Sequence, residues 1–369
     1  MSGTTIIGST DEFATGEEGP MPDQRKSRWA WPPIVGLLLL LFLLELSLGS
    51  VRIPIRDILS ILWGSSSAKP SWRTIVLLFR LPRAVTASLA GAALAVSGLQ
   101  MQTIFRNPLA GPSILGIGSG ATLGVALVIL GAQASDASKL LGSLGIGREV
   151  ASIAAAGVGS AVILALVLAA SRRLRSPVSL LILGLLFGYA TSGAVSILMH
   201  FSIAERIQVF ISWTFGSFAG TTWRQLSILI PVLIAALAAA QLQRKSLNGL
   251  LLGENYAESM GLHVKRARAL AITTTAILTG SVTAFCGPIA FLGVAVPHLC
   301  RGMFDTSDHR VLLPACAAFG AVVAMCADLV AQLPGNQIVL PLNAVTALIG
   351  APVVAWIILR RRFRDTVAT

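Results

Sequence analysis

"ALAITTTAILTGSVTAFCGPIAFLGVAVPHLC", residues 269–300, is the stretch on which the architecture turns. It holds no Asp, Glu, Lys or Arg, which marks it as sequence for a lipid environment. As one helix it would run ~48 Å at about 1.5 Å per residue, well past a hydrocarbon core of ~30 Å. Two short spans fit instead, and "FCGPIAFLG" (285–293) supplies the break: Pro288 lacks an amide donor, and Gly287 tolerates backbone angles that other residues avoid. This reading places spans at 269–286 and 289–304.

The rest of the chain agrees. Its 369 residues are 54% hydrophobic and only 12% charged, and the mean hydropathy is +0.79. That balance excludes a soluble domain and describes a polytopic membrane protein. The formal charge of +12 sits in short clusters between apolar runs, so it reports topology and gives no nucleic-acid surface. Cys286, Cys300, Cys316 and Cys326 have no metal-type spacing and read as small core residues. Residues 1–24 are acidic, polar and rich in Gly and Pro, which predicts a disordered tail. The apolar run after "RKSRWAWPP" (25–33) is long and has no A-x-A site, so it is read as an uncleaved first span.

Loops on the cytoplasmic side concentrate Lys and Arg. The clusters are Arg25/Lys26/Arg28, Arg106, Arg172/Arg173/Arg175, Arg244 to Arg268, Arg301/Arg310 and Arg360 to Arg364. If all lie inside, an even number of crossings separates each neighbouring pair, and every interval has room for two. Ten spans follow, near 31–49, 84–105, 113–131, 150–170, 178–203, 225–242, 269–286, 289–304, 311–333 and 339–359, with both termini cytoplasmic. The domain plan is a tail at 1–28, a ten-helix domain at 29–363 and a short tail at 364–369. One outer loop breaks the charge bias, because Arg52, Arg56, Lys69, Arg73, Arg80 and Arg83 crowd it.

Several patterns carry two readings. "LGIGSGATLG" (115–124) lacks the G-x-G-x-x-G spacing of a dinucleotide loop, and Gly116, Gly120 and Gly124 at four-residue spacing suit close helix approach. Gly184, Gly188, Ser192, Ser196 and His200 recur every four residues, as a packing ridge or as a smooth wall for a bulky solute. His200 reads as an interfacial histidine. Asp328 lies within a span and needs a donor, either in a functional site or in a structural bond to a neighbouring helix end. Glu45, near the outer end of the first span, is expected to reach the interface. Residues 254–260 predict a short amphipathic helix between Gly253 and Gly261, as a cap on the bundle or an insert for a partner's groove. No G-x-x-x-x-G-K-[ST] phosphate loop occurs in the chain.

Seven blocks in order resemble the FecCD family, the permease subunits of ATP-binding-cassette importers for iron-siderophores, haem and cobalamin. They are "RLPR" (80–83), "GAALAVSG" (91–98), "RNPLAGPSILG" (106–116), "LGENYAESMG" (252–261), "GPIAFLGVAVPHLCR" (287–301), "DHRVLLPACAAFGA" (308–321) and "LPLNAVTALIGAPVVAW" (340–356). The resemblance implies an all-α type II importer permease in a bacterial inner membrane, paired with a second copy or a paralogue. It assigns Asn107 and Leu109 to a cytoplasmic gate and Gly184, Gly188, Ser192 and Ser196 to the translocation path. It sets two cytoplasmic ATPase copies under Leu252, Gly253, Glu254, Ala257, Met260 and Gly261. A periplasmic or lipid-anchored binding protein would dock on Arg80 and Arg83, joined by Arg52 and Arg56 from the same basic loop.

The resemblance implies no catalytic residue, metal or cofactor on this chain, with ATP and Mg held by the partner ATPase. Three positions depart from the family pattern: "SPVS" (176–179) stands at a second gate position, Gln332 where arginine is frequent, and Asn343 where glycine is frequent. The expected cargo is a ferric siderophore or a similar metal chelate, with haem or cobalamin as alternatives. A self-powered secondary transporter is the rival class, on the strength of the broken spans and Asp328.

Overall fold

The computed structural model describes residues 24–64, 69–131, 148–174, 177–332 and 339–367. Among them the chain is helical, with no strand. The helices are α1 (Gln24–Ser47), α2 (Ile55–Leu62), α3 (Pro70–Thr74), α4 (Leu81–Phe105), α5 (Ile117–Ile129), α6 (Arg148–Arg173), α7 (Pro177–His200) and α8 (Ala204–Thr214). They continue with α9 (Trp223–Leu242), α10 (Arg244–Leu252), α11 (Glu254–Ser259), α12 (Val264–Cys286), α13 (Leu292–Phe304), α14 (His309–Gln332) and α15 (Leu342–Val367). A π turn, Ile75–Arg80, joins α3 to α4, and a 3-10 turn, Pro112–Leu115, precedes α5.

Seven helical segments are long and apolar enough to cross a membrane, among them Ala30–Ser47, Pro70–Phe105 and His309–Gln332. The shorter α5 and α13 and the apolar part of α15, Leu342–Ala355, occupy the three remaining expected spans, so each of the ten has its helix. The ends differ. α1 begins at Gln24, inside the expected tail, and α15 runs to Val367, past the expected boundary at 363. The predicted disorder of residues 1–23 lies outside the described residues.

The break at 287 is where the sequence puts it. α12 stops at Cys286, Gly287 takes φ +75°, and α13 starts at Leu292. A side chain at 287 would also press on the Trp213 carbonyl, so the turn needs glycine for space as well as for angle. Asn343, unexplained in the sequence, accepts the free Ala290 N–H at 3.1 Å, while its own N–H donates to Phe215 O at 2.9 Å. It ties the break to the end of α8.

α4 is the axis of the bundle, packing against α14, α12, α13 and α9. Its run "AGAALAVSG" (90–98) is buried on all sides, because small residues let neighbouring backbones close in. A methyl on Gly91 would strike the Gly320 carbonyl of α14, and one on Gly98 the Gly293 carbonyl of α13. The glycine spacing in α5 acts alike: Gly120 and Gly124 meet Gly159 and Ala155 of α6. Three of the four cysteines are buried, Cys326 is half-buried, and all are free thiols.

Candidate functional site

At the C-terminal end of α4, Arg106 caps the helix in the left-handed region at φ 44°. The next turn is held by side chains: Asn107 Oδ1 accepts from the Leu109 N–H at 2.9 Å, and Pro108 O lies 2.7 Å from His298 Nε2. Leu109 is left 44% exposed at the tip. Asn107 thus builds the turn, while Leu109 is free to meet whatever passes. "SPVS" lies partly outside the described residues.

The four-residue ridge of α7 divides. Gly184 is buried against Ile114 and Leu115, so its role is packing. Gly188 is half-buried, and Ser192, Ser196 and His200 are exposed. The exposed side also carries Ile182, Leu185, Leu186 and Tyr189, a stripe at helical spacing with no charge on it. Where α7 meets α5 and α8, Ser119, Thr122, Thr191, Ser192 and Thr214 border a recess of about 200 Å³.

The docking segment differs from expectation. Ala257 is fully buried against Leu250, Val264 and Ala267, because the tight hairpin of α10, α11 and α12 needs a methyl-sized residue there. Glu254 is turned toward Arg268 in an ion pair, drawn by a nearly buried guanidinium that requires an acceptor. Ala257 is core, while Glu254 stays partly exposed beside Arg268. The exposed side is formed by Leu252 at the end of α10 and by Tyr256 and Met260 of the α11 turn, at 64%, 54% and 55% exposure. Gly253 (φ +121°) and Gly261 (φ +81°) turn the chain at either end. Tyr256 escaped the sequence reading, although its spacing of four from both Leu252 and Met260 was the available signal.

The arginines of "RLPR" also differ. Pro82 sits in the first turn of α4, and Leu81 before it is helical (φ −64°, ψ −47°), following directly on the π turn. Arg80 is only 9% exposed. Its Nη1 donates to Leu46 O at 2.7 Å and Ser47 O at 2.9 Å, and its Nη2 donates to Val51 O. The first two are carbonyls that the end of α1 leaves without helical donors, and the third lies in the loop that follows. Arg83 grips Asp328 with two bonds, Nε to Oδ2 at 2.7 Å and Nη2 to Oδ1 at 2.9 Å. Asp328 therefore has the structural donor that its burial requires.

Gln332 completes this end, its amide nitrogen donating to Glu45 Oε2 at 2.8 Å and Asp328 Oδ2 at 3.1 Å. Glu45 does not reach the interface: it is 2% exposed, because α1 packs on α14 there. Both arginines border a cleft of about 580 Å³, with Gly49, Phe79 and Gln332. Arg52 and Arg56 are exposed beside α2.

A long central helix, a broken helix pair and a loop hairpin at one end form one pattern, and comparison with known proteins gives it a family. The model of the FecCD transport family matches residues 37–360. The chain belongs to the FecCD family. It is 35% identical over 344 residues to the vitamin B12 import system permease protein BtuC of Klebsiella pneumoniae subsp. pneumoniae, covering 93% of this chain and 97% of that one. It is 36% identical over 324 residues to BtuC of Escherichia coli O6:K15:H31, covering 88% and 93%. A solved structure described as an inward-facing conformation of a metal-chelate type ABC transporter superposes with a TM-score of 0.77 at 27% identity. It covers 90% of this chain and 99% of that one.

As a FecCD member, the chain is the permease subunit of an ABC importer and is not itself catalytic. ATP is hydrolysed by a partner ATPase, and a binding protein is the other general partner. The fold is that of type II importer permeases.

Proposed function

We propose that this permease moves an intact ferric siderophore inward across a bacterial inner membrane, paired with a second copy or paralogue. Two cytoplasmic ATPases drive it, and a binding protein outside supplies the cargo. The observation that carries the reading is the exposed side of α7. Large apolar groups and a tyrosine give way to Ser192, Ser196 and His200 with no Asp, Glu, Lys or Arg among them, a surface suited to a bulky solute gliding past. The metal travels inside its chelator, and the wall needs no ligand for it.

Sidedness follows from the charge rule, with the C-terminal end of α4 and the α10–α11 hairpin inside. On that assignment Leu252, Tyr256 and Met260 face the ATPase, and Leu109 closes the path as an apolar constriction. Arg52, Arg56, Lys69 and Arg73, all exposed in the same basic stretch of chain, steer an acidic binding protein toward this side, where Arg80 and Arg83 line the cleft. Cobalamin is the second reading, favoured by the B12 permeases among the relatives.

The test is uptake into proteoliposomes holding the permease, its ATPase and its binding protein, offered ferric siderophores, haem and cobalamin in turn. We expect ATP-dependent accumulation of a ferric siderophore. Accumulation of cobalamin alone would reassign the cargo, and uptake driven by an ion gradient without the ATPase would overturn the importer mechanism.

A further inference from the structure

The loop hairpin is tied to α4 by more than apolar packing. Three residues spaced by three, Gln100, Thr103 and Arg106, run down the last turns of α4, and each leads to a different part of α10. Gln100 Nε2 donates to Gln243 Oε1 at 3.2 Å, at the joint between α9 and α10. Gln243 Nε2 in turn donates to Thr274 at 2.7 Å, and Thr275 donates to Gln100 Oε1 at 3.1 Å, so the first rung also fixes α12.

The second rung passes through His309. Thr103 Oγ1 lies 2.8 Å from His309 Nε2, and the other ring nitrogen lies 2.7 Å from Asn248 Oδ1 in the middle of α10. Asn248 Oδ1 also accepts the His309 backbone N–H at 2.9 Å, and its amide nitrogen donates to Asp308 at 2.6 Å. The third rung is Arg106, whose Nη2 donates to Leu250 O at 3.2 Å near the end of α10. Its guanidinium lies against Gly253, where an added Cβ would sit 3.2 Å from Nη2. Gly253 is the joint between α10 and α11.

Arg106 is also the left-handed cap from which Asn107, Pro108 and Leu109 depart, so one residue belongs to both the rung and the turn. Apolar side chains would pack this end equally well; directed bonds fix its geometry. A displacement of α11 is thereby delivered to α10 through Gly253, to Arg106 through Leu250, and to Leu109 through a turn that Asn107 keeps rigid.

We propose that Gln100, Thr103 and Arg106 form a coupling ladder that makes α10–α11 and the 106–109 turn one moving body. Arg106 is its terminal, positioning rung, through which ATPase movement reaches the gate. This rests on the reading of the chain as an ATP-driven importer.

The test uses the full complex in proteoliposomes with Arg106→Ala and Arg106→Lys. We expect Arg106→Ala to assemble and to hydrolyse ATP close to wild type, while solute moved per ATP falls about tenfold, a usual size for coupling between sites. Arg106→Lys, which restores one donor, should recover part of the ratio. Hydrogen exchange gives a readout that needs no cargo. ATPase binding should slow exchange at both 244–259 and 106–109 in wild type, and only at 244–259 in Arg106→Ala. Equal loss of hydrolysis and transport, no change in the ratio, or slowed exchange at 106–109 in Arg106→Ala would each overturn the ladder. A wild-type complex without ATP-driven uptake of any chelate would instead overturn the importer reading beneath it.

Discussion

The two ends of α4 hold their polar side chains by opposite means. At the N-terminal end the groups are charged: Arg83 is bound to Asp328, Gln332 bridges Asp328 to Glu45, and Arg80 closes the end of α1. At the C-terminal end the buried groups are amides, a hydroxyl and an imidazole, and the charged groups beside them are less enclosed: Arg106 is exposed, and Arg301 and Asp308 are half-buried. Buried charges are costly to separate, so the first end is locked; neutral hydrogen bonds exchange partners at lower cost, so the second can move. On the coupling proposed above, a helix buried along its length is anchored at one end and transmits movement at the other.

The largest expected effect breaks the lock. Asp328→Ala leaves the Arg83 guanidinium without its carboxylate in a site where Asp328 is 1% exposed. We expect a loss of about 3–5 kcal/mol, read as a fall in the detergent melting temperature. Replacing both partners, Arg83→Met with Asp328→Leu, should recover most of it, because neither member of the pair is left without the other and Gln332 keeps Glu45 as an acceptor. If the double replacement melts as low as the single one, the pair is not the lock.

The C-terminal end should answer more softly. Asn248→Ala removes the acceptor of two His309 groups and a donor to Asp308, which we expect to cost about 1–3 kcal/mol. A loss as large as that of Asp328→Ala would erase the contrast between the ends.

This contrast also separates what the sequence disclosed from what it hid. The ten helices were legible because crossing a bilayer demands a run of apolar residues, and the break at Gly287 because backbone chemistry announces it. The small residues at 120 and 124 disclosed close packing, but not which helix each one met. Partner choice was hidden. "RLPR" showed two arginines at a helix end, and nothing local said that Arg80 serves the carbonyls at 46, 47 and 51, or that Arg83 serves a carboxylate far along the chain. Ala257 was assigned to a docking surface by the family resemblance, whereas the close approach of Leu250 and Val264 made it core. Such facts belong to tertiary contacts that no short window contains.

Surface charge should matter less than either buried network. Arg52→Glu with Arg56→Glu alters two exposed guanidinium groups on the face proposed to meet the binding protein, without touching the Arg83–Asp328 lock. We expect slower association at low salt, an effect that fades as salt rises, and an unchanged melting temperature. A change in melting temperature would mean that the basic loop belongs to the lock rather than to docking.

The smallest effect concerns Asp308, which caps the start of α14 beside the moving end. Burial alone would raise its carboxyl, but the Arg310 backbone N–H, the Asn248 side chain and the Arg310 charge outweigh that and hold it below the ordinary 3.8. A depressed carboxylate stabilises the fold above its unfolded value and ceases to do so as pH falls through the folded value. The wild type should therefore melt above Asp308→Asn at neutral pH, and the gap should close as the pH is taken below about 3.8. The margin should be small, because the residue is only partly buried and water screens its partners. A gap that persisted unchanged into acid would show that Asp308 acts through its shape as a cap. Asn248 would then be held by a neutral bond at this end too, with no ionised group at all in the second rung of the ladder.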